Sequence, residues 1–235
     1  MSSNRPHSPL FSDESAAAFR HFRKPPDSVL SLYMSRISTL MSWMGPRPDS
    51  IIDIGCGPGH FAIPLAKAVE PFGGRVTAID SSRAMISLLQ LELTTLSITN
   101  VESVLGDFME LDQGRDYSIF WLSDVLHLLS DREGALAKIR SLSQSSSGIA
   151  IRMSSHEQLR SYEWTRYFPE ALTIDLSRHP DISEVKAQLI DHKFESIEVL
   201  EIDETRTVET EEYLMYFESK YISSLRLVSD ALRPN

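Results

Sequence analysis

The apolar positions of this 235-residue chain fall into two alternating rhythms. Short β-branched runs, such as Ile51-Ile52-Asp53-Ile54, are apolar almost throughout, as expected of strands buried on both faces of a parallel sheet. Between them lie stretches whose apolar residues recur at helical spacing. Strands are predicted near 50–54, 75–79, 101–105 and 117–122, with a fifth at Gly148–Met153 and a sixth at Phe194–Asp203. Helices are predicted near 58–69, 82–92, 131–143 and 182–193. Ser141–Ser147 reads as a helix end and loop. Strand and helix in strict turn imply an α/β fold: a doubly wound, mostly parallel Rossmann-like sheet of six or seven strands. Thr205-Arg206-Thr207-Val208 is the one short candidate for a seventh strand.

Flanking segments complete the plan. Residues 1–12 read as a mobile tail, and 13–235 as a single domain. Within it, 13–44 form a helical cap, with Ser28 placed to cap a helix bearing Leu30, Tyr33, Ile37, Leu40 and Met41. Residues 45–153 form the core, 154–180 an insertion, and 181–235 the C-terminal helices and last strand. Leu214, Phe217, Tyr221, Leu225 and Val228 make one helical stripe near the end.

Chemistry concentrates where the first strand ends. Gly55, Gly57 and Gly59 alternate in a strand–turn–helix unit, which suits close approach of backbone to a nucleotide. A dinucleotide turn has G-x-G-x-x-G spacing; here the third place holds His60. Asp53 in the preceding strand would repel a pyrophosphate and suits a ligand with an amino group. Its plainer role is a strand-end carboxylate capping the turn. Asp80 ends the second strand 21 positions after Gly59 (80 − 59), near the offset of about 20 at which a carboxylate accepts ribose hydroxyls. Its alternative role is a helix cap ahead of Met85. Ser81, Ser82 and Met85 follow Asp80; Asp107-Phe108 follows the third strand, and Ser123-Asp124 ends the fourth.

These motifs, in this order over residues 49–130, resemble class I S-adenosylmethionine-dependent methyltransferases. The likeness is to the small-molecule type, including ubiquinone-biosynthesis and trans-aconitate methyltransferases. It implies S-adenosyl-L-methionine as cofactor, held by Asp53, Gly55, Cys56, Gly57, Asp80, Ser81, Met85, Asp107, Phe108 and Ser123. In that pattern Asp107 accepts from the adenine amino group and Phe108 packs on the ring. The implied reaction is in-line methyl transfer to oxygen, carbon or nitrogen of a small molecule. His127, just past the fourth strand, is the candidate base, and a packing histidine is its alternative. Asp124 and Trp121 are candidate positioning residues. Two other readings stand beside this one: a protein that binds the cofactor without transferring methyl, and a nicotinamide oxidoreductase, which His60 and Asp53 disfavour.

Charge and composition narrow the partners. A net charge of −10 argues against a broad nucleic-acid footprint. No apolar run reaches the roughly 18 residues of a membrane span, and the N-terminus lacks a signal-type apolar region. Cys56 is the single cysteine, so a small turn residue is a plainer reading than a nucleophile, and a cytoplasmic setting is expected. No metal is invoked. Segments 13–44 and 154–180 mix aromatics with arginine (Phe19, Phe22, Arg23; Trp164, Arg166, Tyr167) and are expected to close over the acceptor. Arg23 is expected beside the cofactor's carboxylate, and inward arginines would favour an acidic acceptor.

Overall fold

A computed structural model describes residues 13–43, 50–112, 114–202, 204, 208–218 and 222–228. Strands β1 (Ser50–Ile54), β2 (Arg75–Asp80), β3 (Val101–Leu105), β4 (Tyr117–Ser123) and β5 (Ser143–Arg152) form one sheet in the order β3-β2-β1-β4-β5. Every neighbouring pair is parallel. The strand order reverses between β1 and β4, which puts the ligand crevice of such a sheet beyond their carboxyl ends.

Alternation along the strands sorts the core into two layers. Ile51, Val76, Ile119 and Trp121 pack with Ile37, Phe61, Leu65 and Leu89 on one face. That face is covered by α2 (Asp27–Trp43), α3 (Ala62–Val69) and α4 (Arg83–Thr95). Ile52, Ile54, Phe120 and Leu122 pack with Leu136, Ile139, Val185 and Leu189 on the other, under α5 (Arg132–Ser141) and α8 (Ile182–Asp191). The inner strands β1 and β4 are buried on both sides, which is why their sequences are nearly unbroken apolar runs.

The remaining helices gather around the carboxyl edge. These are α1 (Asp13–Phe22), α6 (His156–Ser161), α7 (Pro169–Arg178), α9 (Thr210–Glu218) and α10 (Ser223–Leu227). Asp175 on α7 is buried and accepts from Ser224 Oγ at 2.9 Å and from Arg178 Nη2 at 2.9 Å, which fastens α10 to the insertion. No helix among the described residues is long and apolar enough to cross a membrane.

The sheet has five strands among the described residues, where six or seven are expected from sequence. The predicted sixth strand fails because Lys193 and Ser196 adopt left-handed φ values of 65° and 56°. Such positions interrupt an extended ladder. Phe194 and Ile197 still pack on the second core layer, whereas Val199 and Leu200 are exposed. Thr205–Thr207, the seventh-strand candidate, lies outside the described residues, as do residues 1–12. Two boundaries also move. Ser143–Ser147 belongs to β5 rather than to a loop; between the pairs Tyr117↔Ser143 and Ile119↔Gly148 one strand advances two residues and the other five, so a bulge absorbs the serines. Helix α2 starts at Asp27, so Ser28 lies within its first turn and is not the cap. The C-terminal stripe divides between α9 and α10: Leu214 is exposed, Phe217, Leu225 and Val228 join Trp164 and Ala171, and Tyr221 falls outside the described residues.

Two glycines of the turn are fixed by packing. A Cβ on Gly55 would stand 2.5 Å from Val125 Cγ2, and one on Gly59 would stand 2.5 Å from Leu89 Cδ1. Both have positive φ, 69° and 91°. Gly57 also has positive φ, but its Cβ would meet only Phe19, at 3.7 Å. Gly55→Ala and Gly59→Ala are therefore each expected to cost about 2–3 kcal/mol, from overpacking added to backbone strain. Gly57→Ala should cost about 1 kcal/mol, from strain alone. Urea midpoints of the three variants check this ordering.

Candidate active site

The glycine turn is held by β2. The Ile79 carbonyl accepts from both Gly55 N–H (2.9 Å) and Cys56 N–H (3.1 Å). Asp80 Oδ2 accepts from Gly57 N–H at 2.9 Å, and its Oδ1 from Ser82 N–H at 2.8 Å. Ser82, not Asp80, caps α4 through Met85 N–H. Asp80 is thus a clamp joining the two turns, and each of its oxygens keeps a lone pair beyond these bonds; Ser81 beside it is exposed. Burial raises its pKa, while the Ser82 and Gly57 amides pull the other way.

Asp53 lies beneath this turn, fully buried. It accepts from the Ala62 backbone at the start of α3. Its Oδ2 has no hydrogen-bond partner among the described residues. Burial, and then the nearby Asp80 charge, push its pKa up to about 8. Cys56 beside it is buried, with a thiol pushed well up by burial and by the Asp53 and Asp80 charges, so it is no nucleophile.

The other expected contacts divide. Asp107 is exposed at the end of β3 and caps a short 3-10 turn through Met109 N–H at 2.8 Å. Phe108 is only 4% exposed and packs in the second core layer with the Lys138 ammonium 5.6 Å from its ring. Met85 is also fully buried, behind the Asp80 clamp. Phe19 of α1 lies over Gly57 and stacks on His60, whose Nε2 meets the Arg20 carbonyl at 2.9 Å; Arg20 pairs with Glu92 of α4.

A second cluster stands at the ends of β4 and β5. It was not legible as a unit in the sequence. Asp124 has a left-handed φ of 52° and carries a carboxylate between two arginines. Arg23 donates to its Oδ2 at 2.5 Å, and Arg152 also donates to it. Arg152 further donates to Glu204 (2.7 Å) and to the Tyr33 hydroxyl (3.0 Å), with Ser123 Oγ at 3.5 Å. Its guanidinium sits over the Tyr33 and Phe61 rings, and Trp121 packs beside both. Burial works to raise the Asp124 pKa; the Arg152 and Arg23 charges overcome it and hold the group at about 2. Arg23, expected at a ligand carboxylate, is thus paired with a carboxylate of the chain.

These residues border a crevice of about 1600 Å³ whose walls come from α1, α2, the end of β4, the length of β5, the 154–180 insertion, α8, residues 193–202 and Glu204. His127 lines it too, stacked on His179 with ring centroids 3.9 Å apart. Burial, and then the His179 and Arg178 charges, drive the His127 pKa down to about 3. An imidazole this weak gains little from proton transfer near neutrality, which favours the packing-histidine alternative over a general base. Among the described residues no three His, Cys, Asp or Glu side chains gather as a metal site.

The depressed His127 value has a stability consequence. The unfolded chain takes up this proton near pH 6.5 and the folded one only near pH 3. The stabilising contribution is therefore complete above pH 6.5 and lost as pH falls toward 3. NMR titration should show a neutral His127 down to pH 4, and His127→Asn should flatten the stability profile between pH 6.5 and 3. A His127 midpoint near 6.5 would refute this.

Comparison with known proteins agrees with this architecture. Residues 51–145 match the family model described as "Methyltransferase domain". A demethylmenaquinone methyltransferase of Staphylococcus aureus is 42% identical over 82 residues, covering 33% of this chain and 33% of its own length. The chain spans about a third of the length of the curated relatives it matches. A structure titled as a putative S-adenosylmethionine-dependent methyltransferase from Methanococcus maripaludis aligns over 87% of this chain and 93% of its own, at 19% identity and TM-score 0.59. Magnesium protoporphyrin IX methyltransferase from Synechocystis, solved with bound SAM, aligns over 75% of this chain and 74% of its own, at 21% identity and TM-score 0.53. Residues 51–145 thus match a methyltransferase domain, and the sheet they help form has the fold shared with these structures.

Proposed function

We propose that the protein transfers a methyl group from S-adenosylmethionine to a small-molecule acceptor by in-line displacement, with residues 13–235 acting as one domain. The observation that carries the reading is the orphaned, buried Asp53 oxygen beside a glycine turn clamped by Asp80. The residues fit the cofactor. An amino group would satisfy Asp53, and ribose hydroxyls suit the lone pairs of Asp80 left over from its bonds to Gly57 and Ser82; Gly57 carries no Cβ, and Phe19 of α1 lies over it. Asp107 and Ser81 lie exposed along the same strand ends.

When bound, the cofactor supplies a methyl on a sulfonium centre already activated for displacement. The chain's task is to orient the acceptor and exclude water. Phe19 and Phe22 of α1 and Tyr33 of α2 wall the crevice on one side, and the 154–180 insertion walls it on the other. His127 stays neutral and contributes shape. Acceptor deprotonation, where the acceptor needs it, is not assigned to His127.

Calorimetry with S-adenosylmethionine and S-adenosylhomocysteine tests the cofactor site. Asp80→Ala should weaken binding more than tenfold, since charge-assisted bonds contribute about 1.5–3 kcal/mol. Asp53→Asn separates ligand from fold. A raised folded pKa means stability is fully present below the ordinary carboxylate range and lost as pH rises through about 8. The Asn variant should therefore unfold at higher temperature at pH 8 yet bind more weakly. Unchanged affinity in both variants would overturn the reading, as would binding of NADH in place of these ligands.

Transfer itself is tested by mass spectrometry of metabolite extract incubated with the protein and methyl-labelled cofactor. His127→Asn should retain turnover to within about threefold of the parent, because an imidazole of this pKa supplies little base catalysis. A loss of a hundredfold or more would restore the histidine as the base.

A further inference from the structure

The crevice beside Asp124 holds more chemistry than the cofactor reading uses. Its two inner cations are both committed. Arg23 donates to Asp124, and Arg152 donates to Asp124, to Glu204 and to the Tyr33 hydroxyl. Two arginines thus face two carboxylates, and the cluster is neutral in itself. A carboxylate or phosphate entering there would have to displace Asp124 or Glu204 from a guanidinium. A displaced Asp124 would be left partly buried and unpaired, whereas Glu204 is exposed and its displacement costs less. The wider rim gives no compensation. Among the described residues, nine acidic and six basic side chains line the crevice. Around the ion-pair cluster itself the neighbouring walls are aromatic (Phe19, Phe22, Tyr33, Trp121 and Trp164), with serines along β5 and the insertion farther out. The crevice, about 1600 Å³ in all, runs along β5 and stays open on that side, so it admits an acceptor larger than an enclosed small-ligand pocket of roughly 300–1,000 Å³ would hold.

We propose that this crevice takes a bulky, uncharged, apolar acceptor and discriminates against anionic ones. The proposal rests on the methyl-transfer reading for the word acceptor; the selectivity itself is a property of the crevice. It reverses the acidic acceptor expected from the sequence, where arginines are visible and their partners are not. The ring faces of Tyr33 and Phe61 that could receive a cation are already taken by Arg152, which leaves a cationic acceptor only the acidic excess of the rim.

The test uses three naphthalenes of nearly equal shape: 1-naphthol (uncharged at neutral pH), 1-naphthalenesulfonate and 1-naphthyltrimethylammonium. Each is titrated calorimetrically into the full chain, with and without saturating S-adenosylhomocysteine. Naphthol should bind at least tenfold more tightly than either ion. Tyr33→Ala should weaken it at least fivefold, which locates it in the crevice. Asp124→Asn and Glu204→Gln each release an arginine from a carboxylate, so each should raise sulfonate affinity at least fivefold with naphthol little changed. Glu204 is exposed, which keeps that variant informative if Asp124→Asn fails to fold. Tighter binding of the sulfonate or the ammonium ion overturns the proposal. So does binding of none of the three, or naphthol binding indifferent to Tyr33→Ala. Absence of S-adenosylhomocysteine binding, with naphthol selectivity intact, would instead overturn the methyl-transfer reading alone.

Discussion

The Asp80 carboxylate fixes the geometry on which the rest of the site depends. A glycine turn with three positive φ values has no intrinsic reason to hold one shape, because glycine visits many. Here Asp80 reaches across from β2 and accepts the Gly57 N–H, while the neighbouring Ile79 carbonyl accepts the Gly55 and Cys56 N–H groups. One strand end thereby sets the conformation of the next strand's turn. The register Ile54↔Ile79 makes this reach possible, so sheet pairing and site geometry are one constraint. Asp53, one strand inward, is left with an oxygen that the fold does not satisfy. Retaining a buried, half-partnered carboxylate destabilises the free protein, and a cationic group at that oxygen would offset the cost.

What could be read from the sequence follows the range of the interactions involved. β1, β2 and β4 were legible because burial on both faces leaves an unbroken apolar run. The glycine turn was legible because its spacing encodes a local conformation. Asp53 and Asp80 were legible as chemistry since each sits at a strand end beside that turn. Their hydrogen-bond partners were not, because those depend on how β2 lies against β1. The missing sixth strand has the same origin. Its composition favours extended chain, yet Ser196 takes a left-handed conformation that no residue name announces. The serines of β5 carry no apolar alternation, so only the pairing with β4 shows them to be strand.

Phe108 and His127 show what motif position leaves open. Both stand where a ligand contact is expected. Phe108 turns instead into the layer formed with Leu136 and Ile139, and His127 stacks on His179 from the insertion. Periodicity places a residue on an element, but the direction of a side chain after a strand end is decided by neighbours remote in sequence. For His127 those neighbours also decide its charge: burial and the facing histidine leave an imidazole that stays neutral where an isolated one would titrate.

Arg152 ties the covering elements together. It ends β5, and its guanidinium reaches Asp124 after β4, Tyr33 on α2 and Glu204 in the segment before α9. Arg23, just after α1, joins through the same Asp124 oxygen. A planar fork can serve several acceptors at once, which a lysine ammonium on a flexible stem does less well. Asp124 adopts its strained left-handed backbone at the centre of these contacts, a conformation that persists only where surrounding interactions over-determine it. Removing one member leaves a charge without its counter-ion in a partly buried place, which costs more than the intact pairs contribute. The pairs are therefore most stable when made or broken as a set. Any opening of the crevice that moves α1 away from β4 must either carry Asp124 with it or part Arg23 from its carboxylate. In the second case Arg152 remains as the counter-ion of Asp124.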